Sequence, residues 1–255
     1  MSQGMTIETY ERLDPAMTVT YNGRQIQFST PNSVTKWRVE TLASKEPDTL
    51  EWISGFKPGD VLLDVGANVG MYSILAGAAG CRVFAFEPES QNFAILNRNI
   101  IRNNLGDRVT AWCAALTDRF ALDCLHVGNF QPGDSCHTFG EALDFKLEPF
   151  NCILRQGSVS LTIDSLMEQE LITFPDHIKI DVDGLEHKVI AGARTTLADP
   201  RLKSTLIELH TGLEEHRAII AVMEAAGFSW SPEEADKAIR KDGTFKGVGN
   251  HIFRR

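Results

Sequence analysis

The chain has no long hydrophobic run. None of its apolar stretches approaches the roughly 20 residues a membrane-spanning helix needs. The opening stretch, residues 1–8, carries neither a basic segment nor an apolar one, so no cleaved signal peptide is expected. Basic charge is short: 25 Lys and Arg stand against 34 Asp and Glu, a net charge of −9. That balance argues against a general nucleic-acid binder, which needs a basic face for the phosphates. Cysteines number five (Cys81, Cys113, Cys124, Cys136 and Cys152), an odd count never spaced C-x-x-C. They read as reduced thiols in a cytoplasmic protein, not as a disulfide frame or a zinc site. Internal repeats and low-complexity segments are absent. What remains, 43 % apolar and 23 % charged residues in a chain of 255, suits one globular α/β domain with a large core.

The most informative stretch present is Val61-Leu62-Leu63-Asp64-Val65-Gly66-Ala67-Asn68-Val69-Gly70. A short apolar run ends in an acid and then enters a turn with two glycines. A second run, Val83-Phe84-Ala85-Phe86, ends in Glu87. Strand, glycine turn, helix, strand and acid outline a nucleoside-binding βαβ unit. The third glycine of the dinucleotide fingerprint G-x-G-x-x-G is missing, because Met71 stands there. A pyrophosphate would meet Asp64 and a tighter loop, whereas a sulfonium with an ammonium group would not be repelled. The turn therefore favours S-adenosylmethionine over NAD.

Along the chain, Val19-Thr20-Tyr21 and Gln25-Ile26-Gln27-Phe28 flank Asn22-Gly23 and predict a hairpin. Residues 34–56 show helical periodicity broken by Pro47. Strands are expected near 61–65, 82–86, 109–113, 177–182 and 204–209, with helices near 70–79, 90–104, 185–198 and 213–226. Segments near 228–230 and 251–253 would add edge strands. This alternation implies an α/β fold, a Rossmann-like, mostly parallel seven-stranded sheet with helices on both faces. Residues 117–164 break the alternation and predict a β-rich insertion around the polar loop Gln131-Pro132-Gly133-Asp134-Ser135. The expected organisation is a hairpin and helical cap over 1–59, then a cofactor-binding domain over 60–255 that carries the insertion.

The run D-V-G-A-N-V-G with F-E-P resembles the first two motifs of class I S-adenosylmethionine-dependent methyltransferases. Together with Ile178-Lys179-Ile180-Asp181-Val182-Asp183-Gly184-Leu185-Glu186 and Leu206-Ile207-Glu208-Leu209-His210, it resembles the FkbM-type family. That resemblance runs from about Glu46 to the C-terminus. It implies methyl transfer to hydroxyls of sugars, glycolipids or polyketide-type natural products.

In an open parallel sheet the ligand lies beyond the carboxyl ends of the strands. Glu87 is placed to accept from both ribose hydroxyls, with Pro88 fixing the turn behind it. Gly66 and Gly70 let backbone approach the methionine part, and Asn68 tolerates a left-handed turn position. Asp64 suits the amino group or its own loop amides. Tyr72 and Ser73, in the first helical turn, could reach the carboxylate. Ala114 and Ala115 leave room for adenine. Asp181 with Asp183, and Glu208 with His210, sit two residues apart at neighbouring strand ends. Three readings stay open for this group: Asp181 or His210 as a general base for a hydroxyl, a Mg²⁺ site built from Asp181, Asp183 and Glu208, or structural capping. His187 is a weaker candidate, and Asp164 reads as a helix N-cap. An NAD(P)-dependent oxidoreductase and a noncatalytic nucleoside-binding domain are the competing functions. The first lacks its third glycine and a Tyr-x-x-x-Lys pair, and the second would predict a decayed fingerprint. Amino-group methylation of nucleic acids would call for a D/N-P-P-Y/F motif, which is absent. The expected partner is a small-molecule or glycan acceptor, and a homo-oligomer is compatible with the sequence.

Overall fold

The computed structural model describes residues 5–255. Residues 1–4, where the expected cap and the N-terminal stretch without signal-peptide character begin, lie outside the described residues.

A short helix α1 (Ile7–Glu11) precedes the hairpin of β1 (Ala16–Tyr21) and β2 (Arg24–Ser29). Asn22 and Gly23 turn it with φ of 47° and 74°, the two left-handed positions an Asn-Gly turn supplies. Helix α2 (Ser33–Lys45) starts at a capping box formed by Asn32 and Thr35. It stops before Pro47, which opens α3 (Pro47–Ser54) at the position where its missing N–H is not needed. This cap is stitched to the body. The Ser29 amide donates to Asn99 Oδ1 at 2.7 Å, and Trp52 Nε1 donates to Ser204 Oγ at 2.9 Å.

The body follows as β3 (Val61–Val65), α4 (Met71–Ala79), β4 (Arg82–Phe86), α5 (Ser90–Arg102) and β5 (Val109–Trp112). Residues 115–161 contribute β6 (Ala115–Leu116), β7 (Ala121–Val127), β8 (Thr138–Phe139) and β9 (Leu154–Leu161), a four-stranded sheet of order β6-β9-β7-β8 that takes in most of the expected insertion. Then come α6 (Ile163–Glu168), β10 (His177–Ile180), α7 (Glu186–Ala191), α8 (Arg194–Ala198), β11 (Ser204–His210), α9 (Glu214–Ala225), β12 (Ser229–Trp230), α10 (Pro232–Ala238) and β13 (Val248–Arg254).

The main sheet has seven strands in the order β12-β13-β11-β10-β3-β4-β5. Its five consecutive strands from β11 to β5 are parallel, and β13 runs antiparallel to β11 and β12. The Rossmann-like α/β fold expected from the alternation is the one observed. Alternate residues of each strand feed opposite cores. Leu62, Val83 and Leu206 pack with Leu42, Ile53, Ile74 and Leu96 from the helices α2 to α5 on one face. Leu63, Phe84 and Ile207 pack with Leu166, Val189, Leu197 and Ile219 from α6 to α9 on the other. Strand order reverses between β3 and β10, which opens the crevice where ligands bind in such sheets.

Two local expectations are corrected. The helix expected over 185–198 is two helices. The Gly192 carbonyl accepts from the Asp164 amide at 2.9 Å, and Asp164 Oδ2 and Oδ1 take the Thr195 and Thr196 amides at 3.0 and 2.8 Å. Backbone groups that would continue one helix are thus satisfied by α6. Asp164 is accordingly not the N-cap of α6; Thr162 fills that position with Ser165 as its capping partner, and Asp164 caps α8 from outside.

Candidate functional site

The turn after β3 is a left-handed device. Gly66, Asn68 and Gly70 have φ of 79°, 51° and 81°. A side chain on Gly66 would put its Cβ 1.8 Å from the Asp181 carbonyl oxygen, and one on Gly70 would meet Leu96 Cδ1 at 2.3 Å. Glycine is therefore required twice, and Asn tolerates the position between. The Gly66 and Ala67 amides donate to the Phe86 carbonyl, each at 3.0 Å, which ties the turn to the end of β4.

A cleft opens beside this turn, across the carboxyl ends of the parallel strands. It brings together Gly66, Asn68, Glu87, Pro88, Ala114 and Ala115 on the β3–β5 side with Asp181, Asp183 and Glu208 on the β10–β11 side. Gly70, which closes the turn, and Ser73 do not line the cleft. Ser73 is buried and donates to Asp64 Oδ2 at 2.6 Å. Asp64 is 1 % exposed; its Oδ1 has no hydrogen-bond partner, and burial raises its pKa despite Lys179 and Ser73. Glu87 accepts from the Asn68 amide and the Glu89 amide, each at 2.8 Å, and burial nevertheless pushes its carboxyl up to about 8.

Lys179 holds the floor of the site and was not singled out by the sequence reading. It pairs in register with Asp64 across β10 and β3. Its Nζ lies 3.0 Å from Asp181 Oδ2, 3.9 Å from Asp64 Oδ1 and 5.5 Å from the centre of the Tyr72 ring. Burial works against the ammonium, but Asp181, Asp64 and Glu46 outweigh it and raise its pKa. Glu46, at the junction of α2 and α3, accepts from the Tyr72 hydroxyl at 2.8 Å and pairs with Lys45 and Arg240 at 2.9 and 3.3 Å. Burial would raise its pKa, yet Lys45, Lys179 and Arg240 hold it at about 2.

Beyond Ile180 the chain leaves the strand, and Asp183 takes φ of 55°. Its carboxylate accepts the Cys136 amide at 2.7 Å; burial, then neighbouring Asp181, push its pKa up to about 6. Glu208 is held by Arg240 Nη2 at 2.8 Å, and burial and Asp181 raise its pKa. The trio expected to bind Mg²⁺ is therefore already engaged by Lys179, a backbone amide and Arg240. Among the described residues no group of three or more His, Cys, Asp and Glu is arranged to hold a metal, so the structure lends the metal reading no support. His210 does not line the cleft. Its Nδ1 accepts from the Gly212 amide at 3.1 Å, and its ring lies 6.4 Å from that of Phe145.

Two further histidines came to light only in the structure. His216 accepts the His210 amide at Nδ1 (2.9 Å) and reaches the Gly184 carbonyl through Nε2 (2.9 Å), fixing the loop that carries Asp183. His137 lines the cleft with neither ring nitrogen partnered, and burial lowers its pKa. It belongs to residues 131–137, which are pinned from several sides: Asn68 and Asn92 donate to the Asp134 carbonyl at 2.7 and 3.0 Å, and Arg38 donates to the Gly133 carbonyl. His187 does not line the cleft; its ring centre is 6.3 Å from that of His216.

Fold and site together define a nucleoside-binding α/β domain of the methyltransferase kind. The family model described as the methyltransferase FkbM domain matches residues 64–230, and the chain belongs to that family. It is 29 % identical over 201 residues to the 31-O-demethyl-FK506 methyltransferase FkbM of Streptomyces tacrolimicus, covering 70 % of this chain and 76 % of that protein. It is 25 % identical over 201 residues to the hexuronic acid methyltransferase AglP of Haloferax volcanii, covering 76 % and 74 %. The crystal structure of a methyltransferase FkbM from Methylobacillus flagellatus matches with a TM-score of 0.47 and 15 % identity over 78 % of this chain. The chain spans 44 % of that one.

Proposed function

We propose that this protein transfers a methyl group from S-adenosylmethionine to a hydroxyl of a sugar, glycolipid or natural-product acceptor. One observation carries the reading: the Asp181/Asp183 carboxylates face the same cleft as the glycine turn and Glu87. The cofactor supplies a methyl group already activated on a positively charged sulfur. The residues present fit it. Glu87 has acceptor capacity beyond the two amides it holds, Ala114 and Ala115 leave space for a flat base, and Asp64, whose Oδ1 accepts no hydrogen bond, lies under the turn. The names of the two relatives, one citing an oxygen position and the other a hexuronic acid, support oxygen as the acceptor atom.

The remaining work falls to the chain. An alcohol is a poor nucleophile until its proton is taken. Asp183, with its pKa at about 6, is a stronger base than an ordinary carboxylate and still ionised at neutral pH. Asp181, held by Lys179, fixes the geometry beside it. The 1–59 cap and the 117–164 insertion wall the cleft through Trp37, Arg38, His137 and Phe139, and in this reading they select the acceptor. The reading places the protein in the cytoplasm; no described helix is long and apolar enough to cross a membrane.

Calorimetric titration with S-adenosylhomocysteine and NADH tests the cofactor. Binding of the first alone, weakened roughly tenfold or more by Glu87→Ala, is expected. Binding of NADH instead would support an oxidoreductase, and binding of neither a noncatalytic domain. Once an acceptor is found, Asp183→Asn should lower kcat by about 10²-fold or more and abolish a rise in rate through pH of about 6, with EDTA without effect.

A further inference from the structure

The cleft continues past the glycine turn into a recess that shares Gly66, Asn68 and Asp181 with it and is walled by Arg38 and Lys45 of α2 and by Tyr72 and Lys179. We infer that Arg38 is the counter-ion for the carboxylate of the cofactor's amino-acid tail, so that a helix outside the family-matched span completes the cofactor site. This rests on the cofactor reading above.

Most other donors around the recess are already committed. The two hydroxyls of the first turn of α4, where the sequence placed carboxylate recognition, are spent elsewhere. Ser73 gives its hydrogen to Asp64, and Tyr72 gives its own to Glu46. Lys179 is taken by Asp181 and Asp64, and Lys45 by Glu46. The Asn68 side-chain amide goes to the Asp134 carbonyl, and the Asn68 backbone N–H to Glu87. Arg38 donates through Nε to the Gly133 carbonyl, a neutral acceptor, and among the described residues it forms no ion pair. A guanidinium has five N–H donors, so its terminal nitrogens are uncommitted at the wall of the recess. Asp181 and the backbone of Gly66 line the same recess. A recess that holds both an uncommitted cation and an acid matches an α-amino acid in its zwitterionic form. Guanidinium–carboxylate pairs are among the stronger charge-assisted hydrogen bonds.

The same contact links cofactor to covering loop. Gly133 belongs to residues 131–137, whose Cys136 amide binds Asp183. Arg38 thus touches the tail pocket and the segment over the acceptor side at once.

The test compares two ligands with one nucleoside. S-adenosylhomocysteine carries the amino-acid tail, and 5′-methylthioadenosine lacks it. Calorimetry on the full chain should give tighter binding of the first. Arg38→Met should weaken S-adenosylhomocysteine roughly tenfold or more and change methylthioadenosine less than about twofold, while Arg38→Lys restores part of the difference. Glu87→Ala, by contrast, should weaken both ligands alike. Arg38→Met weakening both equally, or neither, would overturn the inference and leave the cofactor reading standing. Failure of the wild-type chain to bind S-adenosylhomocysteine would overturn both. Retained methylthioadenosine binding shows that the variant is folded, and if Arg38→Met does not fold, unaltered ligand preference in Arg38→Gln overturns the inference as well.

Discussion

Lys179 shows how one side chain sets the chemistry of the floor. It is 2 % exposed and sits between two carboxylates. A buried charge is tolerable only with its partners, and removing one partner leaves the others uncompensated. Lys179→Met should therefore destabilise the chain by about 3–5 kcal/mol in urea denaturation. Adding Asp64→Asn should recover part of that loss, because it removes one stranded carboxylate. Equal stability of Lys179→Met and wild type would mean that the ion pairs contribute nothing. The pattern that betrays Lys179 is present in the sequence. It is a lone cation in Ile178-Lys179-Ile180, two residues from Asp181 and so on the same side of the strand. Glu87, Gly66 and Asn68 were legible for the same kind of reason, since each lies at a fixed offset from an apolar run. Arg38, Arg240 and His137 were not. They reach the cleft from segments separated by up to some 200 residues in sequence, through packing that no local spacing encodes.

At the scale of elements, the five parallel strands were legible because each is a short apolar run closed by a polar residue or turn. The break between α7 and α8 was not. The apolar spacing of Leu185, Val189, Ile190, Ala193 and Leu197 holds across it, because both helices face one core. What divides them is a close passage: a Cβ on Gly192 would stand 2.1 Å from the Thr117 carbonyl oxygen. The two possibilities differ in sign. In a continuous, unobstructed helix, Gly192→Ala would stabilise by about 1 kcal/mol. Against the Thr117 carbonyl it should destabilise by about 2 kcal/mol or more, because the backbone after β6 must move. Chemical denaturation of this single variant decides between them, and a gain in stability would refute the close contact. A loss should also disturb Thr117 and Leu116 at the cleft wall, which a drop in adenosine affinity would report.

The molecule as a whole stores its site as buried acids, and this gives its stability a sign with respect to pH. Burial raises Glu87 and Glu186 to about 8, against an ordinary value of 4.5. Such groups contribute stability that is complete below the unfolded pKa and lost as pH rises through the folded one. Glu46 and Asp60 act oppositely. Burial opposes their ionisation, but cations overcome it, chiefly Lys45 and Lys179 for Glu46 and Lys203 for Asp60. Both are held at about 2, so their contribution is lost only in acid. The buried histidines His137, His177, His187, His216 and His251 have pKa values lowered by desolvation from 6.5, so they too favour the fold above that value and weaken it below. Above pH 6.5 these last contributions level off, and the buried glutamates with raised pKa values, Glu87, Glu186 and Glu208, dominate. There the native state binds more protons than the unfolded one, and stability falls as pH rises. The melting temperature should accordingly decline between pH of about 6.5 and 8.5. Glu186 isolates the cause, because it lies outside the cleft lining and its Oε1 accepts the Val182 amide at 2.9 Å, a role a glutamine oxygen can keep. Glu186→Gln should shrink the decline, since one of the buried glutamates that keep their protons in the native state is gone. Parallel melting curves for variant and wild type across that window would show that Glu186 ionises without cost, and that burial of acids is not what limits this fold in alkali.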